Sequence, residues 1–173
     1  MTESMRPLRA DQAEPTSFVP FRHILVPTDF SEPAAIALDT AVSLQSKYDA
    51  RLTLLHVYEF PFYAYSGFDP TLDLVTPARV AAESLLREAL AGLKKRVPTA
   101  GSIFALGTAW QEIMRVIEEQ DVDLVVMGTH GRRGVDRALL GSVANKTVQL
   151  SPVPVLVVPA PHEPTRAEPK KRA

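Results

Sequence analysis

A chain of 173 residues with 19 Lys plus Arg against 20 Asp plus Glu has a net charge of −1, which provides no general field for gripping DNA or a membrane surface. Its length suits one domain with trimmings, and a domain near ~150 residues buries about 68–70% of its unfolded surface, enough to fold without staples. The absence of cysteine excludes disulfides, thiol catalysis and Cys-ligated zinc or iron–sulfur sites.

The segment 1–22 lacks sustained periodicity and reads as a flexible tail. It mixes charges of both signs and holds no apolar core of a secretory signal, so a cytoplasmic protein is expected. No run approaches the roughly 18–20 apolar residues of a membrane span. Residues 23–159 form the expected domain. Residues 160–173 read as a second tail, whose Lys170, Lys171 and Arg172 could touch an acidic partner or nucleic acid, or simply solubilise the end.

Within the domain, His23 to Thr28 is an apolar run of strand length. Ser31 can cap a helix with Pro33 in its first turn and Ala34, Leu38, Ala41 and Val42 on one face. Arg51 to Tyr58 is a second strand. From about Ala78 to Val97, residues Ala82, Leu86, Ala89, Leu90, Leu93 and Val97 follow a helical period. Ser102 to Leu106 is a third strand. Thr108 and Gln111 have capping-box spacing ahead of the stripe Trp110, Ile113, Met114 and Ile117. Asp123 to Met127 is a fourth strand, a helix is expected from Ser142 to Leu150, and Val153 to Val158 is a fifth strand. Pro154 cannot donate to a ladder and favours an edge position there.

Near-continuous apolar strands alternating with helices predict an α/β fold, a parallel sheet with helices on both faces. Ligands in such sheets sit outside the carboxyl ends of the strands, where the strand order switches. Four of the eight glycines, Gly128, Gly131, Gly134 and Gly141, fall in one fourteen-residue stretch at such an end. Glycines let backbone N–H groups approach a ligand, and a helix start near Ser142 adds orphan donors and partial positive charge suited to phosphate. The same glycines could serve only a tight loop, with Ser142 an ordinary N-cap. No P-loop lysine follows them, and the dinucleotide spacing is absent. Arg132 and Arg133 are candidate phosphate contacts or solvated loop residues.

Gly128, Gly131, Gly141 and Ser142, placed after an apolar strand and followed by Ser151 to Pro159, resemble the universal stress protein family. Ile24 to Ser31 is similar to that family's first strand and turn, and Leu54 to Val57 to its second strand. The resemblance spans residues 23–159. It implies an open five-stranded sheet of order 3-2-1-4-5, the ATP-binding glycine-motif branch, and a homodimer pairing through the fifth strand. Carried over, Pro27, Thr28 and Asp29 would line the nucleoside end, with Asp29 accepting from ribose hydroxyls. Val57 would hold adenine through its backbone, and Met127 and Gly128 would flank base and sugar. Gly131, Arg132, Gly141, Ser142 and Val143 would meet the phosphates, with Mg2+ as an optional bridge.

Asp29 has a plainer role as well, helping to cap the helix at Ser31. His130 shares no metal-ligand spacing with His23, His56 or His162, so no metal site is expected, and no hydrolase triad stands out. Tyr58 to Phe68 holds half of the twelve aromatics and could cover the pocket, pack on a second subunit or fold back on its own domain. The expected function is an ATP-binding regulatory module in stress response, with neither membrane nor nucleic acid as a partner. One alternative is a slow ATPase using His130 or Asp136 as base. Another is a nucleotide-free interaction protein.

Overall fold

Strand β1 (His23–Pro27) occupies the middle of a five-stranded parallel sheet because both of its faces are apolar. The computed structural model describes residues 21–59, 75–129 and 140–159. The other elements are α1 (Glu32–Tyr48), β2 (Arg51–Tyr58), α2 (Val75–Lys94), β3 (Gly101–Leu106), α3 (Ala109–Glu119), β4 (Leu124–Gly128), α4 (Ser142–Leu150) and β5 (Val155–Val158). The sheet order is β3-β2-β1-β4-β5, as the resemblance implies. Registers run from His23 against Arg51 to Pro27 against Leu55, and from Val125 against Val155 to Gly128 against Val158.

Successive strand residues point to opposite faces, which divides the core in two. Ile24, Val26, Leu52, Leu54, Leu124 and Val126 pack with Ala37 and Ala41 of α1 and Leu86 and Leu93 of α2. Leu25, Leu55, Ala105, Val125 and Met127 pack on the other face with Ile113, Val116 and Ile117 of α3 and Ala144 of α4. Alanines on the buried stripe of α1 allow that helix to lie close over the sheet.

Three local expectations are corrected. The second helix starts and ends earlier than its period suggests, at Val75 and Lys94. Pro98 disfavours helical geometry at Val97, and the chain closes in a turn, Arg96 N–H donating to Leu93 O at 2.9 Å. Thr108 stands at the N-cap of α3 but makes no side-chain cap. The first helical N–H, at Ala109, is met instead by Glu59 Oε1 at 2.5 Å, from the end of β2. The fifth strand begins at Val155, not Val153. Pro154 contributes only its carbonyl, which accepts from Val125 N–H at 3.0 Å, and β5 is an edge strand as its proline suggests.

His23 closes the amino end of the sheet. It is buried, with Nε2 2.8 Å from Thr53 Oγ1 and Nδ1 2.8 Å from Gln120 O, and Arg51 Nη2 lies 2.7 Å from Nδ1. Burial, aided by the Arg51 charge and opposed by the Gln120 carbonyl, holds its pKa below the ordinary 6.5. The unfolded chain therefore takes up this proton at higher pH than the folded one. The contribution to stability is complete above about pH 6.5 and is lost as pH falls through the depressed folded value. Urea midpoints measured from about pH 8 to pH 5 should fall for the native chain and flatten in His23→Gln.

Thr147 of α4 is fully buried, and its Oγ1 has no hydrogen-bond partner among the described residues. A buried hydroxyl without a partner costs about 1–3 kcal/mol. Thr147→Val, which keeps the shape and removes the hydroxyl, should raise the urea midpoint; a lower midpoint would mean the hydroxyl is satisfied.

Candidate functional site

At the carboxyl end of the sheet, β1 leads into α1 over one face, while α4 packs against the other. The strand order reverses between β1 and β4, so the crevice of a doubly wound sheet opens there.

On the β1 side the ladder with β2 ends where Thr28 N–H donates to Leu55 O at 2.8 Å. In a parallel ladder, alternate residues direct both N–H and C=O to the same neighbour. The next residue of β2 to face β1 is therefore Val57, beyond the last ladder bond. Among the described residues its N–H and C=O have no backbone partner on that side. Thr28 O lies 2.8 Å from His56 Nδ1, and Phe30 N–H donates to Thr28 Oγ1 at 3.0 Å.

Asp29 sits half-buried between Thr28 and the start of α1. Its Oδ1 accepts from Ser31 N–H at 3.1 Å and from Ser31 Oγ at 2.5 Å, and Ser31 Oγ accepts in turn from Ala34 N–H at 3.4 Å. Asp29 thus braces the residue that caps α1, its plainer role. A carboxylate offers about four acceptor positions, so the two roles are compatible. Phe30 has φ of 63°, a left-handed conformation that costs a bulky residue of order 1–3 kcal/mol. It turns the chain sharply and lays the Phe30 ring on His56, with centroids 4.5 Å apart.

The β4 side is built around Gly128 and Thr129. A Cβ on Gly128 would lie 2.8 Å from Pro33 O in the first turn of α1. Thr129 O accepts from Gly141 N–H at 2.7 Å, which fastens the start of α4 to the strand tip. Gly141, not Ser142, is the N-cap, and it supplies no side-chain cap. Helix geometry leaves the N–H groups of Ser142, Val143 and Ala144 without intrahelical acceptors, and the partial positive charge of the helix collects there. Of the two helices that start at this crevice, α1 is capped by its own Ser31, whereas α4 has no such cap.

The structure gathers Pro27, Thr28 and Asp29 with Val57 at one lip, and Gly128 with Gly141, Ser142 and Val143 at the other. Met127 lies between them, but its side chain is buried in the core under α3 and α4, which leaves only its backbone for a pocket. The Gly141 amide is occupied by Thr129 O. Gly131 and Arg132 lie outside the described residues, as do His130, Arg133, Asp136 and 60–68 of the aromatic segment. Sequence reasoning weighed His56 only as a metal ligand and gave Phe30 and Glu59 no role of their own. The placement of His56 beside Val57 was a usable signal, but nothing local marks a positive φ at Phe30.

Sheet order, switch-point crevice and two helix starts define a doubly wound α/β protein with a crevice between its first and fourth strands. The model of the universal stress protein family matches residues 20–159, and the chain belongs to that family. The universal stress protein MJ0577 of Methanocaldococcus jannaschii is 31% identical over 155 residues, 81% of this chain and 96% of that one. The solved structure of MJ0577 matches with a TM-score of 0.70 at 28% identity, over 83% of this chain and 99% of that one. A universal stress protein solved in complex with cAMP has a TM-score of 0.60 at 22% identity, over 82% of this chain and 98% of that one. One from Archaeoglobus fulgidus in complex with dAMP has 0.57 at 20%, over 80% and 98%. At those identities the last two speak for the fold.

Proposed function

We propose that this chain is a cytoplasmic regulatory module that binds an adenine nucleotide, ATP in the first instance, in the crevice between β1 and β4. One observation carries the reading: the peptide edge of Val57 and the Ser142, Val143 and Ala144 amides at the start of α4 flank the same crevice, and among the described residues neither set has hydrogen-bond partners of its own. Buried or half-buried backbone groups rarely go unpaired. A nucleotide satisfies both sets, its base at Val57 and its phosphates at the amides of Ser142, Val143 and Ala144, with ribose hydroxyls donating to Asp29. Gly131 and Arg132 would complete the phosphate contacts.

Among the described residues no group of three His, Asp or Glu could hold a metal ion. A magnesium ion would therefore enter on the phosphates, as Mg2+ commonly does. Two distant relatives of the same fold were solved with cAMP and with dAMP. No helix among the described residues is long and apolar enough to cross a membrane.

Denaturing the purified protein and identifying the released small molecules by mass spectrometry tests the reading, together with calorimetric titration of ATP. Recovery of ATP, ADP or AMP, or saturable uptake of ATP, is expected. A folded protein that releases none and takes up none refutes it.

The proposal extends to a homodimer through Val153 to Val158. Strand β5 lies at the edge of the sheet, Leu156 is 38% exposed, and Val148 and Leu150 of the adjoining α4 are exposed as well. An unpaired edge with apolar side chains is a ready template for a second copy. Sedimentation should show a dimer that Leu156→Arg converts to a monomer; a native monomer would dismiss this part alone.

A further inference from the structure

Continued by one step, the β1–β2 register would pair Asp29 with Val57. Val57 N–H would donate to Thr28 O, and Phe30 N–H to Val57 O. Neither bond is made; Thr28 O instead lies 2.8 Å from His56 Nδ1, and Phe30 N–H donates to Thr28 Oγ1 at 3.0 Å. A carbonyl oxygen only accepts, so Nδ1 carries the imidazole proton. The ring is held for this contact: it is 9% exposed, Phe30 packs on it at 4.5 Å between centroids, and Phe104 lies at 5.8 Å.

We infer that His56 is a positioning residue for base recognition: by engaging the Thr28 carbonyl it ends the ladder at Leu55 and holds the Val57 peptide edge open for adenine. Thr28 Oγ1 does the same for the acceptor half of that edge by engaging Phe30 N–H. The strained turn at Phe30 contributes by seating its ring on the imidazole. An open N–H beside an open C=O complements the Watson–Crick edge of adenine, which presents a ring-nitrogen acceptor beside an amino donor. Guanine presents the opposite polarity. The base preference of the site is thus set by side chains that need not touch the base. The inference rests on the adenine-nucleotide reading above.

The test combines amide hydrogen exchange by NMR on the full, nucleotide-free chain with calorimetric titration of ATP and GTP. The native chain should exchange the Val57 amide freely without nucleotide and should prefer ATP. His56→Phe keeps an aromatic ring and removes the donor. It should slow Val57 exchange at least about tenfold as the ladder extends, and lower ATP affinity about ten- to a hundredfold with GTP affinity unchanged. His56→Asn, which retains a donor near the Nδ1 position, should restore both properties. Thr28→Val, a near-isosteric change, should reduce the preference for ATP over GTP even if His56→Phe does not fold. A Val57 amide already protected in the native nucleotide-free chain would overturn the inference. So would an ATP-to-GTP ratio unmoved in both His56→Phe and Thr28→Val. A native chain with an unprotected Val57 amide that binds neither nucleotide would instead refute the adenine reading and the base-recognition role, while leaving the role of His56 in ending the ladder intact.

Discussion

Asp29→Ala is expected to weaken ATP binding by roughly 1.5–3 kcal/mol, the range for a hydrogen bond to a charged group, which is a factor of order 10 to 100. The same substitution removes the brace on Ser31, because Asp29 Oδ1 accepts from both Ser31 N–H and Ser31 Oγ. Loss of a helix N-cap costs about 0.5–2 kcal/mol. Ser31 itself remains to cap α1 in this variant, so the stability change belongs at the lower end of that range. Asp29→Asn separates the two effects. Its amide oxygen can still accept from Ser31, so urea denaturation should give a midpoint near native, whereas ATP affinity should still fall with the lost charge. Native ATP affinity in a folded Asp29→Ala variant would remove Asp29 from the site and leave it a purely structural brace.

Gly128→Ala should destabilise the fold by about 1–3 kcal/mol, as overpacking does, with no nucleotide involved. The added carbon would lie 2.8 Å from Pro33 O and 2.9 Å from Pro33 C. These neighbours are backbone atoms in the first turn of α1, where proline fixes φ. They cannot move aside as a flexible side chain can, so α1 must lift or β4 must bend. For a domain of about 150–250 residues, 1 kcal/mol shifts the melting temperature by about 2–4 °C. A drop of several degrees in calorimetry of the nucleotide-free protein is therefore expected, with the urea midpoint lowered and its slope unchanged. An unaltered melting temperature would mean that α1 slides easily over β4 and that the crevice wall is soft. The glycine that reads in sequence as room for a ligand serves here as room for a helix.

Much of the architecture is local and therefore legible in the chain. Apolar runs such as Ile24 to Val26 and Leu124 to Val126, short and rich in β-branched residues, suit strands buried on both faces. The alanines of α1 repeat at helical spacing, and Ser31 with Pro33 marks where that helix starts. The acidic side chain at Asp29, the glycines near the fourth strand and the family resemblance carried by these residues all point to the carboxyl end of the sheet.

Other features depend on residues far apart in the chain. Thr108 and Gln111 have the spacing of a capping box, but Glu59, fifty residues earlier, reaches the first amide of α3. Ser142 looks like a cap, but it is the first residue of α4, and the N-cap is Gly141, whose N–H donates to Thr129 O. The groups that would have continued the ladder past Leu55 meet side chains instead, Thr28 O the imidazole of His56 and Phe30 N–H the hydroxyl of Thr28. By itself the sequence determined which segments are strands and helices and pointed to the carboxyl end of the sheet, because periodicity and capping depend on neighbours along the chain. Only the tertiary structure decided which amides and carbonyls are left open there, because every backbone group is claimed by whichever partner the fold brings within reach.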